Sequence, residues 1–288
     1  MNFRPPEELD GAFKMRPADA NKRTVGTVAV VGGSERFPNA PAIAGLGARA
    51  AGAGLVQLVV PAATRAAAAA LVPEATFSRL SARLSPPKAD VVVVGMGLGL
   101  SDVAETTLRR LLSGEAGRFV VDADALTIVA SWHLHTGGYA AAEGRELVFT
   151  PHEGEAARLL GCDAAHVKAN RREAAVEIAA RYGATCVLKG PNTIVVSADG
   201  RCVYENATGN PFMALGGMGD LLAGVIGARW AYLKGDAFLA AASSAWLHGA
   251  ASDSIVAESG DPSLAATAAR IGGMRVALDS SYSKGELK

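Results

Sequence analysis

The sequence predicts an α/β protein built on a mostly parallel central sheet with an antiparallel hairpin at one edge. Three observations predict it. Short β-rich runs recur with glycine or turn residues behind them, alanine-rich stretches of helical length lie between them, and from Thr185 onward three strand-like runs follow one another directly. Strands alternating with helices imply parallel pairing, whereas short strands joined by tight turns imply hairpins.

The elements follow in order. Residues 1–24, beginning MNFRPPEELDGAFKMRP, read as a short polar lead-in without the apolar run of about seven residues that a signal peptide needs. Strand runs are expected at Thr27–Val31, Leu55–Val60, 91–95, 118–121 and 147–150, short and β-rich, and they read as buried strands. Helices are expected over 40–53, 102–112 and 123–131. The alanine run at 66–70, set between Pro61 and Pro73, needs no function beyond helix formation. TCVLKG, NTIVVSADG and RCVYENATG form the three late strands, with Ala198-Asp199-Gly200 as a turn. From Gly216 the chain reads as helical to about residue 277, with Pro262 as a first-turn residue after the Gly260 break and a frayed tail at 280–288. All of residues 1–288 are expected to form a single domain.

Composition narrows the function classes. Lys plus Arg and Asp plus Glu number 28 each, so no global field favours nucleic acid or an anionic membrane. No apolar stretch reaches the roughly 18 residues of a membrane span. Cys162, Cys186 and Cys202 are odd in number and not at metal-ligand spacing, which fits a reducing cytoplasm.

The strongest motif is NPFMALGGMGD, residues 210–220, followed by a long apolar helix. Gly216, Gly217 and Gly219 allow close backbone approach, and a helix N-terminus carries about half a positive elementary charge, so the segment suits an anion such as phosphate. Asp220 stands in the first turn, where it either caps the helix or serves as a general base. Two weaker glycine turns, Gly32-Gly33 and Gly95-Met96-Gly97-Leu98-Gly99, follow strands and suit either a pocket rim or a plain turn. At further strand ends lie Asp122 and Asp124, then His152, Glu153 and Glu155, then Lys189 ahead of Asn192 and Thr193. The acids there suit organisation of the waters around Mg²⁺, or ordinary first-turn enrichment. Trp132, His133 and His135 read as a helix end before Gly137-Gly138, and His248 as a satisfied packing residue. No serine-hydrolase or zinc-protease pattern is present.

In order along the chain, VVGGSERFPNAPAIAGLGARAAGAGLV, VVVVGMGLG, VVDADAL, TPHEGEAARLLG, VLKGPNTIVV and NATGNPFMALGGMGDLLAGVIGA resemble the NAD(P)H-hydrate dehydratase family across residues 26 to 235. The resemblance implies a ribokinase-like fold, three layers in αβα order. It implies that Ala40, Gly97, His152 and Asp220 line the pocket for hydrated NADH or NADPH, and that Lys189, Gly190, Pro191, Asn192, Thr193 and Gly219 contact an adenine nucleotide. The implied reaction phosphorylates the C6 hydroxyl of the S epimer from ADP or ATP, with Asp220 as base and Mg²⁺ organised through water by Glu155. Phosphate then leaves, and the net change is a dehydration. The donor is left open, the standalone arrangement favouring ADP. The resemblance further implies a homo-oligomer, with a tetramer as one form, and an NAD(P)H-hydrate epimerase as a separate protein.

Asn39, Phe37, Leu215 and Met218 depart from the family's usual residues, and Met218 removes a threonine hydroxyl near the anion loop. Two rival readings follow: a ribokinase-like kinase of a small alcohol, such as hydroxyethylthiazole kinase, and an inactive nucleotide-binding sensor if Met218 or Asn39 blocks the site.

Overall fold

A computed structural model describes residues 4–113, 117–136 and 144–284, without the side chains of 133–136 and 282–284. The expectations for His133, His135, Gly137 and Gly138, and for residues 285–288, therefore lie outside the described residues.

The strands are β1 (Thr27–Val31), β2 (Leu55–Val60), β3 (Thr76–Arg79), β4 (Val91–Val94), β5 (Gly117–Val121), β6 (Arg145–Phe149), β7 (Thr185–Leu188), β8 (Ile194–Val196) and β9 (Val203–Glu205). They form one sheet in the order β3-β2-β1-β4-β5-β6-β7-β8-β9. Pairing is parallel from β3 through β7, and β7-β8 and β8-β9 are antiparallel. All three expected late strands form, and β8-β9 is the expected edge hairpin.

Helices α1 (Ala40–Ala50), α2 (Arg65–Leu71), α3 (Asp102–Ser113), α4 (Asp124–Thr136), α5 (Glu153–Leu160), α6 (Ala164–Ala169), α7 (Arg171–Tyr182), α8 (Met218–Leu233), α9 (Ala237–Ala257) and α10 (Leu264–Lys284) cover both faces. Alternation along the strands divides the core in two. Val28, Val30, Leu58, Val91, Val93 and Val148 pack with α1, α2 and α8 to α10, whereas Ala29, Val31, Val92, Val94, Leu147 and Phe149 pack with α3 to α7. Three layers in αβα order result, because a parallel strand must bury both of its faces. Among the described residues, no helix is long and apolar enough to cross a membrane.

Three expectations need correction. The lead-in is packed: residues Glu7–Ala12 form a 3-10 helix, and Leu9, Ala12 and Phe13 are buried. Its anchor is Arg229, 1% exposed, which donates to the Ala12 carbonyl and lies 4.8 Å from the Phe13 ring centre. Strand β3 was not expected, because TFSR is a short, partly exposed edge strand without an apolar run. At the other end, α10 starts at Leu264 rather than at Pro262 and continues through Lys284, so residues 280–284 of the expected frayed tail are helical.

The direction of the chain reverses at β1, which has β2 on one side and β4 on the other, and open α/β sheets bind ligands at such a switch point. The two glycine turns leaving β1 and β4 meet there. Gly33 donates to the Met96 carbonyl at 3.0 Å, and a Cβ at Gly32 would lie 2.4 Å from that oxygen. Across the same end, α1 and α8 touch backbone to backbone: a Cβ on Gly224 would lie 1.8 Å from the Ala44 carbonyl oxygen, and one on Gly47 would lie 2.2 Å from that of Leu221. This contact fixes the height of the α8 N-terminus above the strand ends.

Candidate active site

Helix α8 begins at Met218 behind Gly217, whose φ of +95° favours glycine, and no side chain caps it. Its first-turn amides therefore have no intrahelical partner and face outward with the positive end of the helix dipole. Asp220 lies in that turn. Of the departures noted in the sequence, Met218 is buried in the core at 5% exposure, while Asn39 and Leu215 are exposed.

The remaining polar groups converge from three strand ends. Asp122, 1% exposed after β5, accepts from the Thr150 hydroxyl at 2.8 Å and from Lys189 Nζ at 2.6 Å. Glu155 Oε2 lies 3.8 Å from the same ammonium. A Cβ at Gly219 would stand 3.3 Å from Lys189 Nζ, so glycine keeps the helix start and the ammonium in close register. Burial disfavours the Lys189 charge, but Asp122 and Glu155 more than offset it and hold its pKa above the ordinary lysine value.

Asp220 is affected in the opposite sense. Burial, followed by the charge of Asp122 and with Glu155 and Asp124 adding to it, pushes its carboxyl up to about 7, against the pull of Lys189. A carboxyl that titrates near neutrality beside a free helix N-terminus is suited to take a proton from a hydroxyl.

His152 and Glu155 form a capping box. His152 Nδ1 accepts from the Gly154 and Glu155 amides at 2.9 and 3.3 Å, and Glu155 Oε2 accepts from the His152 amide at 2.8 Å. The His152 ring is thus an exposed helix cap, while Glu155 is buried against Lys189. Among the described residues, no group of three or more His, Cys, Asp or Glu is arranged to hold a metal ion by itself.

Gly97 and Ala40 adjoin each other: a Cβ on Gly97, at φ +63°, would be 3.2 Å from that of Ala40 and 2.6 Å from that of Phe37. Asp124 Oδ2 holds the neighbouring turn by accepting the Gly99 amide at 2.7 Å. The Lys189–Thr193 turn is bent by Gly190 at φ +136° and Asn192 at φ +53°, and closed by the Thr193 hydroxyl donating to the Gly190 carbonyl at 3.0 Å.

Sequence reasoning missed the supports of this site. Arg171 of α7 donates to the Leu188 carbonyl at 3.2 Å and braces the Lys189 turn, and Thr150 orients Asp122. Neither residue carries a local signal. His248 is buried as expected, but its Nε2 has no hydrogen-bond partner among the described residues, and burial pulls its pKa down to about 4. Trp132 is structural, donating to Glu105 at 2.9 Å beneath the Arg109 guanidinium.

The sequence profile described as NAD(P)H-hydrate dehydratase matches residues 28–271, spanning the strand-end turns, the Lys189 turn and the glycine loop. The chain belongs to the NAD(P)H-hydrate dehydratase family. It is 40% identical over 254 residues to an ADP-dependent (S)-NAD(P)H-hydrate dehydratase of Neisseria meningitidis serogroup B, covering 86% of this chain and 83% of that protein. It is 36% identical to a bifunctional NAD(P)H-hydrate repair enzyme of Moorella thermoacetica, of which it spans about half, 49%. An ADP/ATP-dependent NAD(P)H-hydrate dehydratase from Bacillus subtilis, co-crystallised with ATP and Mg²⁺, superposes with a TM-score of 0.81 at 28% identity, covering 96% of this chain and 98% of that one. A ribokinase-like superfamily protein of Enterococcus faecalis does so with a TM-score of 0.79 at 25% identity, covering 96% and 95%. The fold of this family member is thus ribokinase-like, and the dehydratase match takes precedence over the small-alcohol kinase expectation.

Proposed function

We propose that the protein dehydrates the S epimer of hydrated NADH or NADPH, with ADP or ATP as phosphoryl donor, within residues 1–288 acting as one catalytic domain. The observation that carries this reading is the place of Asp220 in the first turn of an uncapped helix whose Gly219 adjoins the Lys189–Asp122 pair, where burial and the charge of Asp122 push its carboxyl up to about 7.

In this reading Ala40, Gly97 and His152 line the dinucleotide pocket with Asp220, and Lys189 to Thr193 with Gly219 receive the adenine nucleotide. Asp220 takes the proton of the C6 hydroxyl as its oxygen attacks the terminal phosphorus. The amides around Gly216, Gly217 and Gly219 and the Lys189 charge stabilise the phosphoryl group in transit. Phosphate then departs with the C6–O bonding pair, a proton leaves C5, and the dihydronicotinamide ring is restored. Shortened nucleotide, phosphate and NAD(P)H are the products.

The acids here would suit Mg²⁺ held through its water shell and the nucleotide phosphates rather than by direct ligation. Asp122, Asp124, Glu155 and Asp220 set four carboxylates against the single ammonium of Lys189, an oxygen-rich, negatively biased site. Glu155 and Asp122 would hold the ion through water, and it would supply charge neutralisation of the nucleotide phosphates. A cytoplasmic homo-oligomer, including a tetramer, and a separate epimerase delivering the S epimer complete the proposal.

The test incubates purified protein with (S)-NADPH hydrate, Mg²⁺ and either nucleotide, and follows the return of reduced-nicotinamide absorbance. Recovery that needs nucleotide and disappears in Asp220→Ala supports the proposal and identifies the donor. A folded protein that restores nothing with either nucleotide sends the assignment back to small-alcohol kinases.

A further inference from the structure

The stretch from Asn206 to Asn210, between β9 and α8, is docked onto α9 by contacts that the proposed chemistry does not itself use. Asn206, 4% exposed, donates to the Ala245 carbonyl at 3.2 Å, and the Thr208 hydroxyl lies 2.9 Å from the Trp246 carbonyl. Gly249 permits this approach, since a Cβ there would lie 2.6 Å from the Thr208 backbone. One turn further along α9, the Asp253 carboxylate accepts the Gly209 amide and the Asn210 side-chain amide, both at 2.8 Å. Asn210 also reaches Ser252 Oγ at 3.0 Å, and its own Oδ1 accepts the Phe212 amide at 3.1 Å, starting the 3-10 turn Pro211–Met213 that leads into the glycine loop.

We infer that Asp253 is a positioning residue for the glycine loop. From α9 it holds Gly209 and Asn210, and through them it sets where the amides of Gly216, Gly217 and Gly219 and the carboxylate of Asp220 stand relative to Lys189. Gly209 takes a φ of +112°, a conformation that favours glycine, at the end of the docked segment, so its amide is where an anchor governs the path into the loop. Bonds to a carboxylate are roughly twice as strong as neutral ones, and Asp253 supplies two of them to adjacent residues. A loop released at this end retains its residues but loses their alignment.

The inference rests on the proposed reaction, so its test pairs a kinetic readout with one that needs no activity. In Asp253→Ala, kcat is expected to fall about 10-fold to 100-fold while the nucleotide KM stays within about threefold, the mark of lost alignment rather than lost binding. Asp253→Asn retains one acceptor oxygen and is expected to recover part of the loss. Hydrogen exchange at amides 209–219 is expected to accelerate about tenfold in Asp253→Ala, with α9 residues 240–250 unchanged. Wild-type kcat with only a lowered melting temperature would overturn the inference, and so would unchanged exchange at 209–219. If the wild-type protein shows no dehydratase activity, the functional proposal falls by itself, and the exchange data alone decide whether Asp253 holds the loop.

Discussion

Lys189 Nζ lies 2.6 Å from Asp122 Oδ1 at the strand ends, and both groups act on the Asp220 carboxyl in opposite directions. Asp122 raises its pKa by like-charge repulsion, and Lys189 lowers it. The proposed base is therefore tuned by the ion pair beside it.

Opposite charge changes should move the pH profile in opposite directions. With Asp220 near 7, kcat/KM should rise as pH increases through neutrality, because only the ionised carboxyl accepts a proton. Asp122→Asn should move this rise to lower pH by about one pH unit, and Lys189→Met should move it to higher pH by a similar amount. Profiles of the two variants that shift the same way would contradict the ion-pair account.

Asp220 is also linked to stability. Its folded pKa lies above the ordinary carboxylate value, so its contribution is fully present below about pH 4 and is lost as pH rises through about 7. Asp220→Asn should therefore abolish turnover yet stabilise the fold at pH 8 by about 1–3 kcal/mol, and much less at pH 5. Paired thermal or urea unfolding at the two pH values measures the difference.

The glycine contact between α1 and α8 admits no side chain. Gly224→Ala would drive a Cβ to 1.8 Å from the Ala44 carbonyl oxygen, so the helices must separate. The cost should be about 3 kcal/mol, and activity should fall more than stability alone explains, because α8 carries Asp220. Urea titration and single-temperature kinetics separate the two effects.

Arg229 ties the N-terminal segment to the core. Burial pulls its guanidinium down to about 10, with Asp279 opposing from 3.8 Å. Arg229→Ala should destabilise the fold by about 3 kcal/mol, since it removes one side of a buried ion pair. Limited proteolysis should then cut within residues 5–20 well before the rest of the chain.

What the sequence made legible follows from physical locality. Val91–Val94 and Cys186–Leu188 are buried on both faces, so an unbroken apolar run announces them, and Gly216 to Asp220 combine loop, helix start and acid within five residues. Thr76–Arg79 joins the sheet by backbone pairing with β2, helped by the Gln57–Ser78 side-chain bond, and has no such run. Arg171 and Asp253 reach their partners across the fold, and the burial of Phe13 depends on Arg229, more than two hundred residues away in the chain. Relationships of this kind are written in the packing, and single-residue patterns do not carry them. His152 shows the converse: its motif was visible, but only the geometry shows its ring engaged in capping α5.

The most direct test of the account labels the substrate. Hydrate carrying heavy oxygen in its C6 hydroxyl is turned over with unlabelled nucleotide, and the released phosphate is examined by phosphorus NMR. Attack by that hydroxyl on the terminal phosphorus predicts one labelled oxygen in each phosphate formed. Label recovered in water, with unlabelled phosphate, would contradict transfer to the C6 oxygen and with it the role given to Asp220.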